Sequence, residues 1–188
     1  MKLLVVRQPV FDANEKIFAY DLMLRAPDGS ADVGSIAPEQ LVADVFLEIG
    51  LDRVANGHRV LVTIDPDMLL RGTVPLLPAD RVIIQLQAAE GSATELVSIC
   101  KDLTASGYLI GLQTNTPDRC ASALLDLARI VNIDIDQVPP GALPDIAAAL
   151  AGRSAQLLAT GVQHRGQREQ CAKLGFQQIG RASCRERV

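Results

Sequence analysis

Aromatic side chains are scarce in this chain. They make up 3% of its 188 residues, and tryptophan is absent. A core without large rings must be assembled from Leu, Ile, Val and Ala, which suits buried parallel strands backed by helices. No apolar run approaches the roughly 20 residues that cross a bilayer. Lys2 precedes a short apolar run that soon meets Arg7 and Pro9, so the N-terminus reads as a first strand and not as a secretory signal. Long basic runs are missing and the formal net charge is −4, so nothing points to nucleic acid. Four cysteines, Cys100, Cys120, Cys171 and Cys184, stand singly without CxxC spacing, which indicates neither a zinc site nor a redox pair. Free thiols in a reducing compartment follow, and with them a cytoplasmic location. Gly107-Tyr108-Leu109-Ile110-Gly111 lies across a strand and so is no phosphate loop. Ser30, Ser35, Ser92 and Ser98 have no GxSxG context. His58 and His164, the only histidines, read as solvated loop side chains and not as catalytic bases.

What is present is a regular alternation. Hydrophobic residues reach 48% against 21% charged, enough apolar content for one sizeable domain with a buried core. Leu3–Val6 and Ile17–Leu24 read as strands joined by the turn Asp12-Ala13-Asn14-Glu15, an antiparallel hairpin. A helix is expected from Pro38, with Leu41, Val42, Val45, Phe46 and Ile49 on one face and Gly50 near its end. Strands are expected at Arg59–Ile64, Arg81–Leu86, Tyr108–Leu112, Arg129–Ile135 and Ala155–Ala159, with another beginning at Phe176–Gln178. Between them come a short helix near Met68 and Leu69 and helices at Thr94–Ser106, Pro117–Leu127, Pro144–Ala151 and Gln167–Leu174. Ala26–Ala37, rich in Pro, Gly, Ser and Asp, reads as a surface loop. Strand–helix alternation with short connections argues for an α/β fold with a parallel sheet and right-handed crossovers. A doubly wound sheet and a closed barrel satisfy the pattern equally, and periodicity does not separate them.

The opening is more specific. Arg7-Gln8-Pro9-Val10-Phe11-Asp12 leads through Lys16-Ile17-Phe18-Ala19-Tyr20 into Asp21-Leu22-Met23-Leu24-Arg25. This resembles the start of the EAL family, the cyclic di-GMP phosphodiesterases, and in particular the branch written "RQPIFD…YELLxR". The resemblance can be followed strand by strand to about Gln178. It implies a (β/α)8 TIM-barrel-like fold with an antiparallel first strand. Such a barrel takes about 250 residues, so the domain at 1–178 is expected to be incomplete at its C-terminus, to carry unpaired strand edges and to be poorly soluble. Residues 179–188, Ile179-Gly180-Arg181-Ala182-Ser183-Cys184-Arg185-Glu186-Arg187-Val188, look like the conceptual translation of a sequencing adapter and are set apart as non-native.

The resemblance also implies where a site should lie. Barrel chemistry sits at the C-terminal ends of the strands, and phosphodiester hydrolysis of this class uses two divalent metals, Mg or Mn, held by Asp, Glu and Asn oxygens. The signature glutamate aligns with Asp21, which keeps a carboxylate one methylene shorter and stands either as a weak metal candidate or as an ordinary polar residue at a strand end. Arg25 matches an arginine the family uses near the ligand phosphate, and reads either as a bidentate phosphate contact or as a surface ion pair. The asparagine of "NxS" aligns with Thr63, the third-strand glutamate with Gln85, and the paired acids of "DDFG" with Gln113 and Thr114. The lysine of "KID" aligns with Asn132 while its aspartate survives as Asp134, and the glutamates of "AEGVE" align with Thr160 and Gln163. Neutral groups in place of several carboxylates remove most of the attraction for a divalent ion. The expectation is therefore a degenerate EAL domain with no active catalytic residue, no resident metal and no cofactor, signalling through contact with a protein partner. In the branch it resembles, an all-helical HDOD domain follows, and family barrels often pair as homodimers. A non-hydrolysing cyclic di-GMP sensor is the alternative reading, and residual phosphodiesterase activity ranks below it.

Overall fold

The computed structural model describes residues 4–25, 50–66, 69, 77–87, 94–181 and 186–187. Two strands open it, β1 (Leu4–Asp12) and β2 (Ile17–Arg25), paired antiparallel from Leu4↔Arg25 to Val10↔Ala19 with a bulge at Val10/Phe11. The Asp12 carboxylate closes the turn by accepting from the Asn14 and Lys16 backbone N–H groups at 2.8 and 2.9 Å, the local bonding that suits aspartate to turns. Then come α1 (Leu51–Ala55), β3 (Arg59–Ile64), β4 (Val82–Gln87), α2 (Thr94–Ala105), β5 (Leu109–Gln113), α3 (Ser122–Leu127) and β6 (Ile130–Asp134). After these follow α4 (Leu143–Leu150), β7 (Gln156–Val162), α5 (Arg165–Lys173), β8 (Gln178–Arg181) and the two-residue β9 (Glu186–Arg187). The expected helix at Pro38, the loop Ala26–Ala37 and Met68 lie outside the described residues.

Strands β2 to β8 run parallel, each beside the next, and β8 then pairs antiparallel with β1 through Val10↔Gly180, Phe11↔Ile179 and Asp12↔Gln178. Because β1 also pairs with β2, eight strands close into a ring whose first strand is antiparallel to both neighbours. The barrel of the sequence reading is present, and its strand ring is closed: β8 takes the place beside β1. Ile179, Gly180 and Arg181 of β8 belong to the segment read as adapter-derived. Further along β1, Val6 and Arg7 pair with Arg187 and Glu186 of β9. The gap between the β8 and β9 pairings falls at Gln8 and Pro9, and proline has no N–H to offer a ladder there.

The core has two compartments. Inside the ring, Val10, Ala19, Leu61, Ile83, Ile130 and Leu158, one from each of six strands, form a dry plug. Outside it, alternate strand residues such as Val82, Ile84 and Leu86 pack with Leu96, Cys100 and Leu103 of α2 and with the other helices. Strands buried on both faces must be apolar nearly throughout, which is why β4 reads Val-Ile-Ile-Gln-Leu-Gln. The expected helix at Pro117–Leu127 is broken. A 3₁₀ turn at Pro117–Arg119 gives way to extended backbone at Cys120 and Ala121 before α3 begins. The Cys120 thiol anchors that break by reaching Thr114 Oγ1 (3.2 Å) and the Thr116 carbonyl (3.6 Å).

Candidate functional site

Above the apolar plug, toward the C-terminal ends of the parallel strands, the inward positions turn polar. The step is visible along single strands: Leu61 is followed two residues on by Thr63, Ile83 by Gln85 and Ile130 by Asn132, and Leu158 by Thr160. Side chains two apart on a strand share a face, and the parallel pairing sets Thr63 beside Gln85 and Gln113 beside Asn132.

These side chains bond to one another. The Thr160 hydroxyl donates to Asn132 Oδ1 (2.9 Å), with a longer contact to the Ile133 carbonyl at 3.5 Å. Asn132 Nδ2 donates to Gln85 Oε1 (3.0 Å). Gln85 Nε2 in turn donates to Thr63 Oγ1 (3.0 Å) and Gln113 Oε1 (3.3 Å). Gln85 is 2% exposed and Asn132 1% exposed. Five of the positions read as vestigial thus form one neutral chain spanning five strands, with Gln85 as its hub. Buried amides are tolerated only when bonded, and here both donors and the acceptor of Gln85 are used.

The other expected positions are arranged differently. Asp21 is half-buried on β2, opposite Gln8 of β1 and next to Leu61 of β3. The Arg25 side chain lies outside the described residues. Thr114 is buried but turned away from the mouth, its Oγ1 accepting from the Thr116 N–H (3.1 Å) and the Cys120 thiol. The Asp134 carboxylate turns toward the rim: its Oδ1 accepts from the Asp136 N–H (3.2 Å), while its own N–H donates to Asn115 Oδ1 (3.1 Å). A Cβ on Gly161 would lie 2.6 Å from Asp134 Oδ1, and Gly161 has φ of +77°, so glycine is required there on both counts. Exposed Gln163 donates to Asp136 Oδ1 (2.8 Å). Asn115 and Asp136 were missed by the sequence reading because their roles are local bonds of a rim loop. Buried Gln8 was quoted in the opening motif, and only strand pairing reveals that it faces Asp21.

Both histidines have structural partners. His58 stands edge-on to Tyr20 (6.0 Å between centroids), whose ring carries the Arg7 guanidinium at 4.7 Å. His164 caps α5. Burial pushes the thiols of Cys100 and Cys171 up to about 11, which removes them as nucleophiles at neutral pH.

Two divalent metals would require a cluster of anionic oxygens. Among the described residues no group of three or more His, Cys, Asp or Glu side chains could hold a metal ion. Of the positions that would supply such oxygens, Thr63, Gln85, Gln113, Asn132 and Thr160 are neutral and bonded to one another, and Asp21 and Asp134 alone keep a carboxylate, so these described residues do not fit a metal pair. Among the described residues no helix is long and apolar enough to cross a membrane.

No protein-family model matches the chain. It is 26% identical over 185 residues to the uncharacterized protein YuxH of Bacillus subtilis, covering 94% of this chain and 45% of that protein. It is 24% identical over 137 residues to the cyclic di-GMP phosphodiesterase CdgJ of Vibrio cholerae, covering 70% of this chain and 31% of that one. The chain therefore spans less than half the length of these curated relatives. Among solved structures, the EAL domain of Mycobacterium smegmatis DcpA superposes with a TM-score of 0.77 at 17% identity, covering all of this chain and 93% of that one. The closed, mixed α/β barrel described above is the fold of the EAL domains.

Proposed function

We propose that this chain is a catalytically silent EAL-like regulatory domain that acts through contact with a protein partner in the cytoplasm. One observation carries the reading: the barrel mouth is filled by the neutral chain Thr160–Asn132–Gln85–Thr63/Gln113. Two-metal hydrolysis needs several ligating groups acting as a unit, and losses within such a unit are not additive. Asp21 alone does not reconstitute one. A protein partner, including an HDOD-type domain, is a route by which a fold without turnover transmits a signal, and self-association into a homodimer belongs to the same reading.

The test is cyclic di-GMP turnover in Mg²⁺ or Mn²⁺, comparing the parent with Asp21→Asn. No metal-dependent turnover in either protein is the expected result. Turnover in the parent that disappears in Asp21→Asn overturns the proposal. A second reading, metal-independent cyclic di-GMP binding, is favoured by the relation to CdgJ and the shared fold. Calorimetry decides it: no heat of binding at about 100 μM ligand removes the sensor reading.

A further inference from the structure

α5 begins with an unusual cap. His164 is its N-cap residue, and the Gln167 backbone N–H donates to the imidazole Nδ1 at 3.3 Å. Gln167 Oε1 reaches back to accept from the N–H groups of Gln163 (2.8 Å) and His164 (3.4 Å), which completes a capping box. The imidazole sits close against Gly166, where an added Cβ would stand 3.3 Å from Nδ1. Gln163 continues the connection: its Nε2 donates to Asp136, whose N–H donates to Asp134 beside the mouth. One series of hydrogen bonds therefore joins the first turn of α5 to the rim at the end of β6.

Ser, Thr, Asp and Asn, the usual capping residues, accept hydrogen bonds at all neutral and mildly acidic pH values. An imidazole accepts at Nδ1 only while that nitrogen carries no proton, and imidazoles change charge between pH 5 and 8. Imidazolium would lose the bond from Gln167 and set a positive charge at the positive end of the helix dipole. We propose that His164 is a pH-operated latch: neutral, it caps the first turn of α5 by accepting from the Gln167 N–H, and protonated, it releases that turn.

His164 lines a groove of about 630 Å³ beside α5, together with charged side chains. Glu15, from the β1–β2 turn, pairs there with Arg168, and Arg165 pairs with Glu169 at 2.8 Å. Asp136 faces the cap from the β6–α4 connection through Gln163. Two guanidinium groups and two carboxylates balance in the groove, so an imidazolium at its edge adds one uncompensated positive charge.

Amide hydrogen exchange across α5, normalised to intrinsic rates, tests the latch in the full chain. The opening equilibrium at Gln167 is expected to rise about fivefold between pH 7.5 and pH 5.5 in the parent, the size of one lost cap. His164→Asn keeps a side-chain acceptor that does not titrate and is expected to show no such rise. His164→Ala is expected to be open at both pH values. Equal opening of the parent at both pH values, or a parent-like response in His164→Asn, overturns the proposal. Nitrogen NMR of the parent is a second measurement that needs no variant. At pH 7.5 the proton is expected on Nε2 of His164, and a proton on Nδ1 overturns the latch.

Discussion

Replacing Gln85 by leucine removes the hub of the barrel-mouth network at nearly constant volume. Its three bonds end on groups in different surroundings. Thr63 is exposed and Gln113 half-buried, so water replaces what they lose. Asn132 is 1% exposed and donates to Gln85 Oε1, so its amide is left without that acceptor in a dry interior. An orphaned buried donor costs about 1–3 kcal/mol, and we expect about 2 kcal/mol from Gln85→Leu. For a chain of this size, that lowers Tm by roughly 4–8 °C. Urea unfolding followed by far-UV circular dichroism is the assay, since the chain has no tryptophan to report by fluorescence. The decisive comparison is the double variant Gln85→Leu/Asn132→Leu. Removing both partners leaves no buried orphan amide, and the Thr160 hydroxyl retains its 3.5 Å contact to the Ile133 carbonyl. The double variant should therefore be more stable than the sum of the two singles, by about 1 kcal/mol or more. A cost below about 0.5 kcal/mol for Gln85→Leu, or strict additivity, would refute the claim that Gln85 and Asn132 satisfy each other.

Three further outcomes are expected. Gly161→Ala should destabilise by about 2 kcal/mol or more, because it combines a positive φ with a Cβ placed 2.6 Å from Asp134; a thermal melt within 1 °C of the parent's would contradict this. Millimolar Mg²⁺ or Mn²⁺ should leave Tm unchanged, whereas a site filled at a hundred times its Kd would add about 2.7 kcal/mol. Cys100 and Cys171 should resist thiol reagents at pH 7.5 until the chain unfolds. Because burial raises both from 9.0 to about 11, the folded state prefers the protonated thiols, so stability is full below about pH 9 and falls as pH rises toward 11. Stability that stays flat from pH 8 to 10.5 would count against that burial.

Much of the fold was legible because strands and helices leave different periods in the sequence. The hairpin turn at Asp12-Ala13-Asn14-Glu15 is fixed by the Asp12 side chain, a local effect that composition displays. Closure of the ring was not legible. β8 is only four residues long and pairs with β1 across nearly the whole chain, so no local signal announces it. The helix expected over Pro117–Leu127 failed because the bonds of Cys120 to Thr114 and Thr116 compete with helix formation. At the site, Thr63, Gln85, Gln113, Asn132 and Thr160 were singled out only by the family resemblance, and the structure sets them on one inner face. Their mutual bonding was hidden, because amide orientation depends on neighbours from other strands. Gln163 and Asp134 point to the rim because Asp136 and Asn115 hold them there, and neither contact leaves a trace in spacing.

The seam between β1 and β8 also has a temporal meaning. Val10 emerges from the ribosome early, and its partner Gly180 only near the end of this sequence. At about 5–20 residues per second, the hairpin waits on the order of 10 s with one side of β1 unmatched. Parallel neighbours can assemble in order behind it, but the ring cannot lock until β8 arrives. Closure of the ring is therefore a contact of very long sequence separation, the kind that folds slowly. Until then that flank of β1 presents unpaired backbone N–H and C=O groups, the edge condition that invites pairing with another strand.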